Sequence, residues 1–281
     1  MAKRTVVALF LLAVLLPIIL FSEIGFFVVI AFFLTVSSWE YVHMFRAAKA
    51  EPSQWVVVGG TFLLLVVRTV RYNFGGVLPV GLVSSADEIS AGTLALLVLI
   101  AMTVHLYAYE RGRDQAALDF AVTVGGFIYL GWVGAYLIDL RNLPNGSWWL
   151  MLVLPSVWLA DTGAYVLGSK YGKHKMTPRL SPKKSWEGYW VGVFTGTLGG
   201  AFFAWAFNVN TTLFGQSLLG PLTITPWDGA LLGLVLSVVT TLGDLGESMF
   251  KRQGGIKDSG HVIPGHGGAF DRIDSWIWAG V

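Results

Sequence analysis

The sequence contains no cysteine among its 281 residues. That excludes disulfides, thiolate metal sites and a thiol nucleophile, and it leaves the redox compartment unreadable. Charge is scarce too. Asp, Glu, Lys and Arg make up 13% of the chain, and 54% of it is hydrophobic. Soluble domains carry about 25% charged residues, so an ordinary soluble domain and a disordered chain are both excluded. Gly-x-Ser-x-Gly, His-Glu-x-x-His and Gly-x-x-x-x-Gly-Lys-Ser/Thr patterns are missing, which removes support for serine hydrolase, zincin and P-loop readings. No internal repeat or low-complexity tract is visible. Nothing suggests a nucleic-acid partner, because the basic residues follow membrane topology.

What the chain has is long apolar runs, and about 20 such residues span a bilayer core. Full spans are expected over Thr5–Phe21, Ile24–Val42, Ser90–Tyr107, Leu118–Leu137, Trp148–Leu167, Tyr189–Phe207 and Gly229–Leu245. Trp55–Val67 is a shorter one, continuing to Leu82 either as a tilted extension or as a re-entrant piece. Thr5–Phe21 reads as a span rather than a signal peptide, since it is long and no small-x-small cleavage site follows. A last apolar piece, Ser275–Val281, ends the sequence. A helix from Ala269 to Val281 would be about 20 Å long at ~1.5 Å per residue, short of a core of about 30 Å. The expected fold is therefore all-α and polytopic, with eight full transmembrane helices and a short or truncated ninth. Residues 1–140 form N-terminal transmembrane helices. Residues 141–281 are expected to form a second transmembrane region with polar loops 169–188 and 248–274, where chemistry is to be sought.

The positive-inside rule fits this layout. Of the 19 Lys and Arg, 16 fall in one set of alternate segments; only Arg68, Arg71 and Arg141 fall in the other. The N-terminus and both long polar loops are thus expected in the cytoplasm, with Trp148, Trp149 and Trp227 at outer interfaces.

Charge near hydrocarbon is costly and points to function. Asp244, Glu247 and Ser248 share a helix face at the inner end of the eighth span. Asp271 and Asp274 share a face on a helix starting near Ala269. Lys251, Arg252, Lys257, Arg272 or a bound cation must offset this acidity. Oxygen ligands without cysteine suit a hard ion such as magnesium, typically held by one or two carboxylates plus substrate phosphates. Asp244, Asp271 and Asp274 fit that description; helix-end salt bridges are the alternative for any one of them. Pro264-Gly265-His266-Gly267-Gly268 reads as a turn into a helix, where backbone N–H groups favour an anion. His266 either donates to a phosphate or bonds backbone within the turn.

The central loop carries a second constellation. Asp161, one turn before Tyr165 within an apolar span, either binds substrate or pairs structurally. Lys173, Lys175, Arg179, Lys183 and Lys184 make the loop cationic, through topology and anionic lipid or through substrate. The Ser181-Pro182-Lys183-Lys184-Ser185 run sets two lysines beside a span entrance, with Ser185 placed to cap the next helix. His43, His105 and Glu40 show no partner pattern and read as structural.

The stretch SMFKRQGGIKDSGHVIPGHGGAFDRID, Ser248 to Asp274, resembles the signature of the phosphatidate cytidylyltransferases, or CDP-diacylglycerol synthases. Ser181–Gly188 is similar to that family's Ser-Pro-Lys-Lys-Thr-x-Glu-Gly element, with Ser185 in place of Thr. The Asp161-Thr-Gly-Ala-Tyr segment and the multispan layout are similar as well. The resemblance implies the reaction CTP + phosphatidate → CDP-diacylglycerol + pyrophosphate, catalysed in a membrane. It implies magnesium at Asp244 and Asp271 with Asp274 assisting, a second monovalent cation such as K+, and a homodimer. Lys251 would join the catalytic set. Asp161, Ser181, Lys183, Lys184, Arg252, Lys257, Asp258, His266, Gly267, Gly268 and Arg272 would bind substrate. The family usually continues through a full final helix; seven residues follow Asp274 here.

Other readings remain to be distinguished. One is a related CTP-dependent membrane transferase or kinase acting on another lipid, such as a polyprenol. A transporter coupled through Asp161 and Asp244 would be expected to show an inverted repeat. A CDP-alcohol phosphotransferase would need a glycine where Ser275 follows Asp274.

Overall fold

A computed structural model describes residues 16–18, 21–73, 86–214, 224–260, 262 and 267–281. The described elements are α1 (Glu23–Ala47), α2 (Gln54–Asn73), α3 (Ala86–Glu110), α4 (Ala116–Gly126), a π-helical stretch Phe127–Val133, α5 (Tyr136–Asn142) and α6 (Gly146–Tyr171). Strands β1 (Lys175–Thr177) and β2 (Ser181–Ser185) follow, then α7 (Trp186–Phe214), α8 (Pro226–Gln253) and α9 (Phe270–Ala279). Among the described residues, six helical stretches are long and apolar enough to cross a membrane, and Gln54–Val70 is a shorter apolar helix. The protein is a polytopic, all-α integral membrane protein. Most of the expected span Thr5–Phe21 and the uncertain stretch approaching Leu82 lie outside the described residues.

Local signals set the helix ends. Ser22 Oγ accepts from Gly25 N–H at 2.8 Å and caps α1. Thr225 and Asp228 form a reciprocal capping box at the start of α8, around Pro226. Gly255 closes α8. With φ +67° it adopts the left-handed conformation of a Schellman turn, in which Ile256 N–H bonds Lys251 O and Gly255 N–H bonds Arg252 O.

The central polar loop is not irregular throughout. Pro178 lies in the turn between β1 and β2, which pair as an antiparallel hairpin with Lys175 opposite Ser185. Ser185 caps α7 as expected: its Oγ accepts from Gly188 N–H at 3.2 Å.

By contacts the chain divides into two compact units. One comprises residues 1–139, 250–273 and 280–281, the other residues 140–249 and 274–279. In the first, Val56, Leu64, Leu97, Ala101 and Phe127 form a buried apolar cluster. Gly131 of the π stretch sits against α2, where a Cβ would lie 2.9 Å from Thr61 Cα. Buried Asp119 ties two loops together, accepting from Glu51 N–H at 2.7 Å and from Arg113 Nε at 2.7 Å. Arg113 Nη2 in turn donates to Lys49 O.

In the second unit, α7 carries glycine at 188, 192, 196 and 200. Small residues at this spacing let membrane helices approach closely. A Cβ on Gly192 would lie 2.9 Å from Ala160 O of α6, and one on Gly200 only 2.0 Å from Gly229 O of α8. Trp186, Trp190, Phe194, Leu198 and Phe202, one turn apart on α7, are exposed instead, as lipid contact requires.

Candidate active site

In the first unit the C-terminal motif folds around Asp271. The last turn of α8 delivers Lys251, whose Nζ donates to Asp271 Oδ1 at 2.7 Å, with both side chains about nine-tenths buried. The other oxygen, Oδ2, lies 3.1 Å from Ser259 N, 3.0 Å from Ser259 Oγ and 2.9 Å from Gly268 N. Gly267 has φ +87°, a backbone conformation that glycine adopts without strain, and so turns the chain into α9.

Arg252 is exposed and donates to Ile256 O at 2.9 Å. Lys257, Asp258 and Arg272 are exposed. His266, with Pro264 and Gly265, lies outside the described residues.

The acceptors at the start of α9 are carboxylates of the chain itself. Gly268 N–H donates to Asp271, while Ala269 and Phe270 N–H donate to Glu40 at 3.0 and 2.9 Å. Glu40, on α1, is fully buried and also accepts from Ser259 Oγ at 2.8 Å. Its sequence neighbourhood, Ser38-Trp39-Glu40-Tyr41, carries no signal for this. The partners are 219 to 230 residues away.

The second unit holds the other half of the expected set. Lys184 Nζ lies 2.7 Å from Asp244 Oδ2, and both groups are partly exposed. Ser248 Oγ approaches Asp244 Oδ1 at 3.5 Å, so the expected shared face is present on α8. Glu247, on that turn, is buried. Neighbouring strand residues face opposite ways: Lys184 turns inward to Asp244, while Lys183 is exposed. Ser181 is partly buried at the start of β2, and Asp161 and Tyr165 are exposed on α6. At the base of the hairpin, Glu187 accepts from the His174 backbone and lies 2.6 Å from His174 Nδ1. Asp274 is buried and accepts from Ser275 N–H at 2.7 Å.

Among the described residues, no group of three or more His, Asp or Glu side chains is gathered closely enough to hold a metal ion. A hard ion held by one or two carboxylates, with phosphates or water completing its shell, needs no such group. Asp271 in the first unit and Asp244 in the second each offer oxygen donors of the kind such an ion takes.

The cytidylyltransferase family's profile matches residues 2–281. The chain belongs to the cytidylyltransferase family. The match covers the N-terminal helices as well as the C-terminal motif. A phosphatidate cytidylyltransferase from Haemophilus influenzae is 32% identical over 288 residues, covering 98% of this chain and 94% of that protein. One from Synechocystis is 28% identical over 85% of this chain and 80% of its own length. One from Staphylococcus saprophyticus is 34% identical over 66% of each chain.

Proposed function

We propose that the protein transfers the cytidylyl group of CTP to phosphatidate, giving CDP-diacylglycerol and pyrophosphate. The observation that carries this reading is the near full-length similarity to phosphatidate cytidylyltransferases. An oxygen of the lipid phosphate attacks the α-phosphorus of CTP. The bond from that phosphorus to the β-bridging oxygen breaks, and pyrophosphate leaves. The attacking oxygen is already anionic, so no general base is needed. The obstacles are repulsion between two polyanions and charge on the leaving group, which positioning and electrostatics overcome.

In this reading Lys251, Lys184, Lys183, Arg252, Lys257 and Arg272 neutralise phosphates, and Asp161, Ser181, Asp258, His266, Gly267 and Gly268 help to seat the substrates. Magnesium is proposed at carboxylates drawn from Asp244, Asp271 and Asp274, with a monovalent cation such as K+ as a second ion. When bound, such cations would supply positive charge to the substrate phosphates and to the departing pyrophosphate. The ammonium groups of Lys184 and Lys251 now lie against Asp244 and Asp271 respectively, which orients those two carboxylates. We further propose a bacterial plasma-membrane location with the reaction on the cytoplasmic side, and a homodimer.

The test is an assay of purified protein in mixed micelles with CTP, phosphatidate and magnesium, with an EDTA control. Metal-dependent CDP-diacylglycerol and pyrophosphate are expected. A phosphorylated lipid plus CDP would instead identify a CTP-dependent lipid kinase.

A further inference from the structure

Within the C-terminal motif, one side chain that belongs to none of its residues organises the fold. We propose that Glu40 is a positioning residue for catalysis: from α1 it fixes the backbone and the hydroxyl that hold Asp271. The inference rests on the reaction proposed above.

Glu40 has no exposed surface, and a buried carboxylate is costly unless it is fully hydrogen-bonded. Three donors meet that cost, and all come from the motif. Oε1 accepts from Ala269 N–H at 3.0 Å; Oε2 accepts from Phe270 N–H at 2.9 Å and lies 2.8 Å from Ser259 Oγ. The first two are among the unpaired donors of the first turn of α9, where a negative charge is also favoured by the helix dipole. Asp271 is the second residue of that helix. Whatever sets the start of α9 therefore sets the Asp271 carboxylate.

The third contact is more direct. Ser259 Oγ lies between the two carboxylates, 2.8 Å from Glu40 Oε2 and 3.0 Å from Asp271 Oδ2. A hydroxyl has one proton to donate, so the two acids share one donor through one side chain. Glu40, Ser259, Asp271 and Lys251 form a continuous polar chain in the first unit.

Two glycines of the motif are explained by the same carboxylate. A Cβ on Gly260 would lie 2.2 Å from Glu40 Oε1, and one on Gly268 would lie 2.6 Å from both carboxylate oxygens. The loop wraps Glu40 so closely that side chains at these positions are excluded.

Glu40→Gln keeps the shape but puts an amide NH2, which can only donate, where a carboxylate oxygen now accepts from N–H or O–H groups. At least one backbone cap is lost, and the start of α9 loosens. Three readouts test this. Thermal unfolding and membrane insertion show that the variant is folded. Amide exchange of peptides covering 267–273 reports the cap independently of activity, and it should be at least severalfold faster. Steady-state kinetics should show kcat reduced about tenfold or more, and the magnesium concentration for half-maximal rate raised severalfold. KM for phosphatidate should stay within about twofold.

Faster exchange with kcat and magnesium dependence within twofold of wild type would overturn the proposal and leave Glu40 a purely structural cap. Unchanged exchange would overturn it too. Should Glu40→Gln not be recovered folded, Ser259→Ala decides. It retains the Glu40 carboxylate and its two backbone caps while cutting the bridge to Asp271. A raised magnesium requirement supports the proposal, and an unchanged one sinks it. Failure of the proposed reaction itself is read separately: the wild-type protein would make no CDP-diacylglycerol, while the exchange comparison would still stand.

Discussion

Asp271 collects four hydrogen-bonding contacts from three residues, and a single isosteric change tests what they prepare. Asp271→Asn removes the charge that Lys251 neutralises and the anionic oxygen proposed for the metal. Product formation should fall at least a hundredfold in the micelle assay while the protein remains membrane-inserted; near-normal turnover would remove Asp271 from the site. The two lysines of the hairpin separate as well. Lys184→Ala frees Asp244 and should lower kcat/KM about tenfold, ~1.4 kcal/mol of transition-state stabilisation. Lys183→Ala, at an exposed position, should change it less than threefold; equal effects would mean that the hairpin acts only through its charge. The motif residues were legible because each carries its chemistry in its type and spacing. Glu40 was not, because no local pattern announces a partner more than 200 residues away.

Helices follow from the apolar runs, and each described one overlaps its expected span. The α8 boundary lies beyond its expected span because capping residues, not hydropathy, end a helix: α8 runs through Lys251 to the Schellman turn at Gly255. The β-hairpin escaped the sequence reading since Lys, Pro and Ser dominate β2, types that do not favour strands. The glycine spacing of α7 was visible but has meaning only once its neighbours are known. Gly200→Ala would drive a methyl group into the backbone of α8, where no flexible side chain can yield. A loss of about 1–3 kcal/mol is expected, read as a clear drop in unfolding temperature in detergent. Gly92→Ala on α3, where an added methyl group meets nothing within 4 Å, should leave that temperature unchanged or slightly raised.

For the whole molecule, the absence of cysteine makes sidedness directly measurable. Single cysteines introduced at Asp114 and Leu143 flank one span, Ala116–Asn142. An impermeant maleimide should reach Asp114→Cys only from the cytoplasmic side and Leu143→Cys only from the opposite side. Labelling of both from one side would refute the topology drawn from the basic residues. The first unit is discontinuous in sequence, since residues 140–249 intervene before residues 250–273 rejoin it. That order has a consequence for biosynthesis. Glu40 leaves the ribosome 219 to 230 residues before the groups that satisfy it. At roughly 5–20 residues per second, its carboxylate waits on the order of ten to forty-five seconds for them. During that interval α1 carries an acidic side chain whose donors on Ser259, Ala269 and Phe270 have yet to be made. Completion of the C-terminal motif and maturation of α1 are thus one late event, and a pause or premature stop in translation would leave both unfinished.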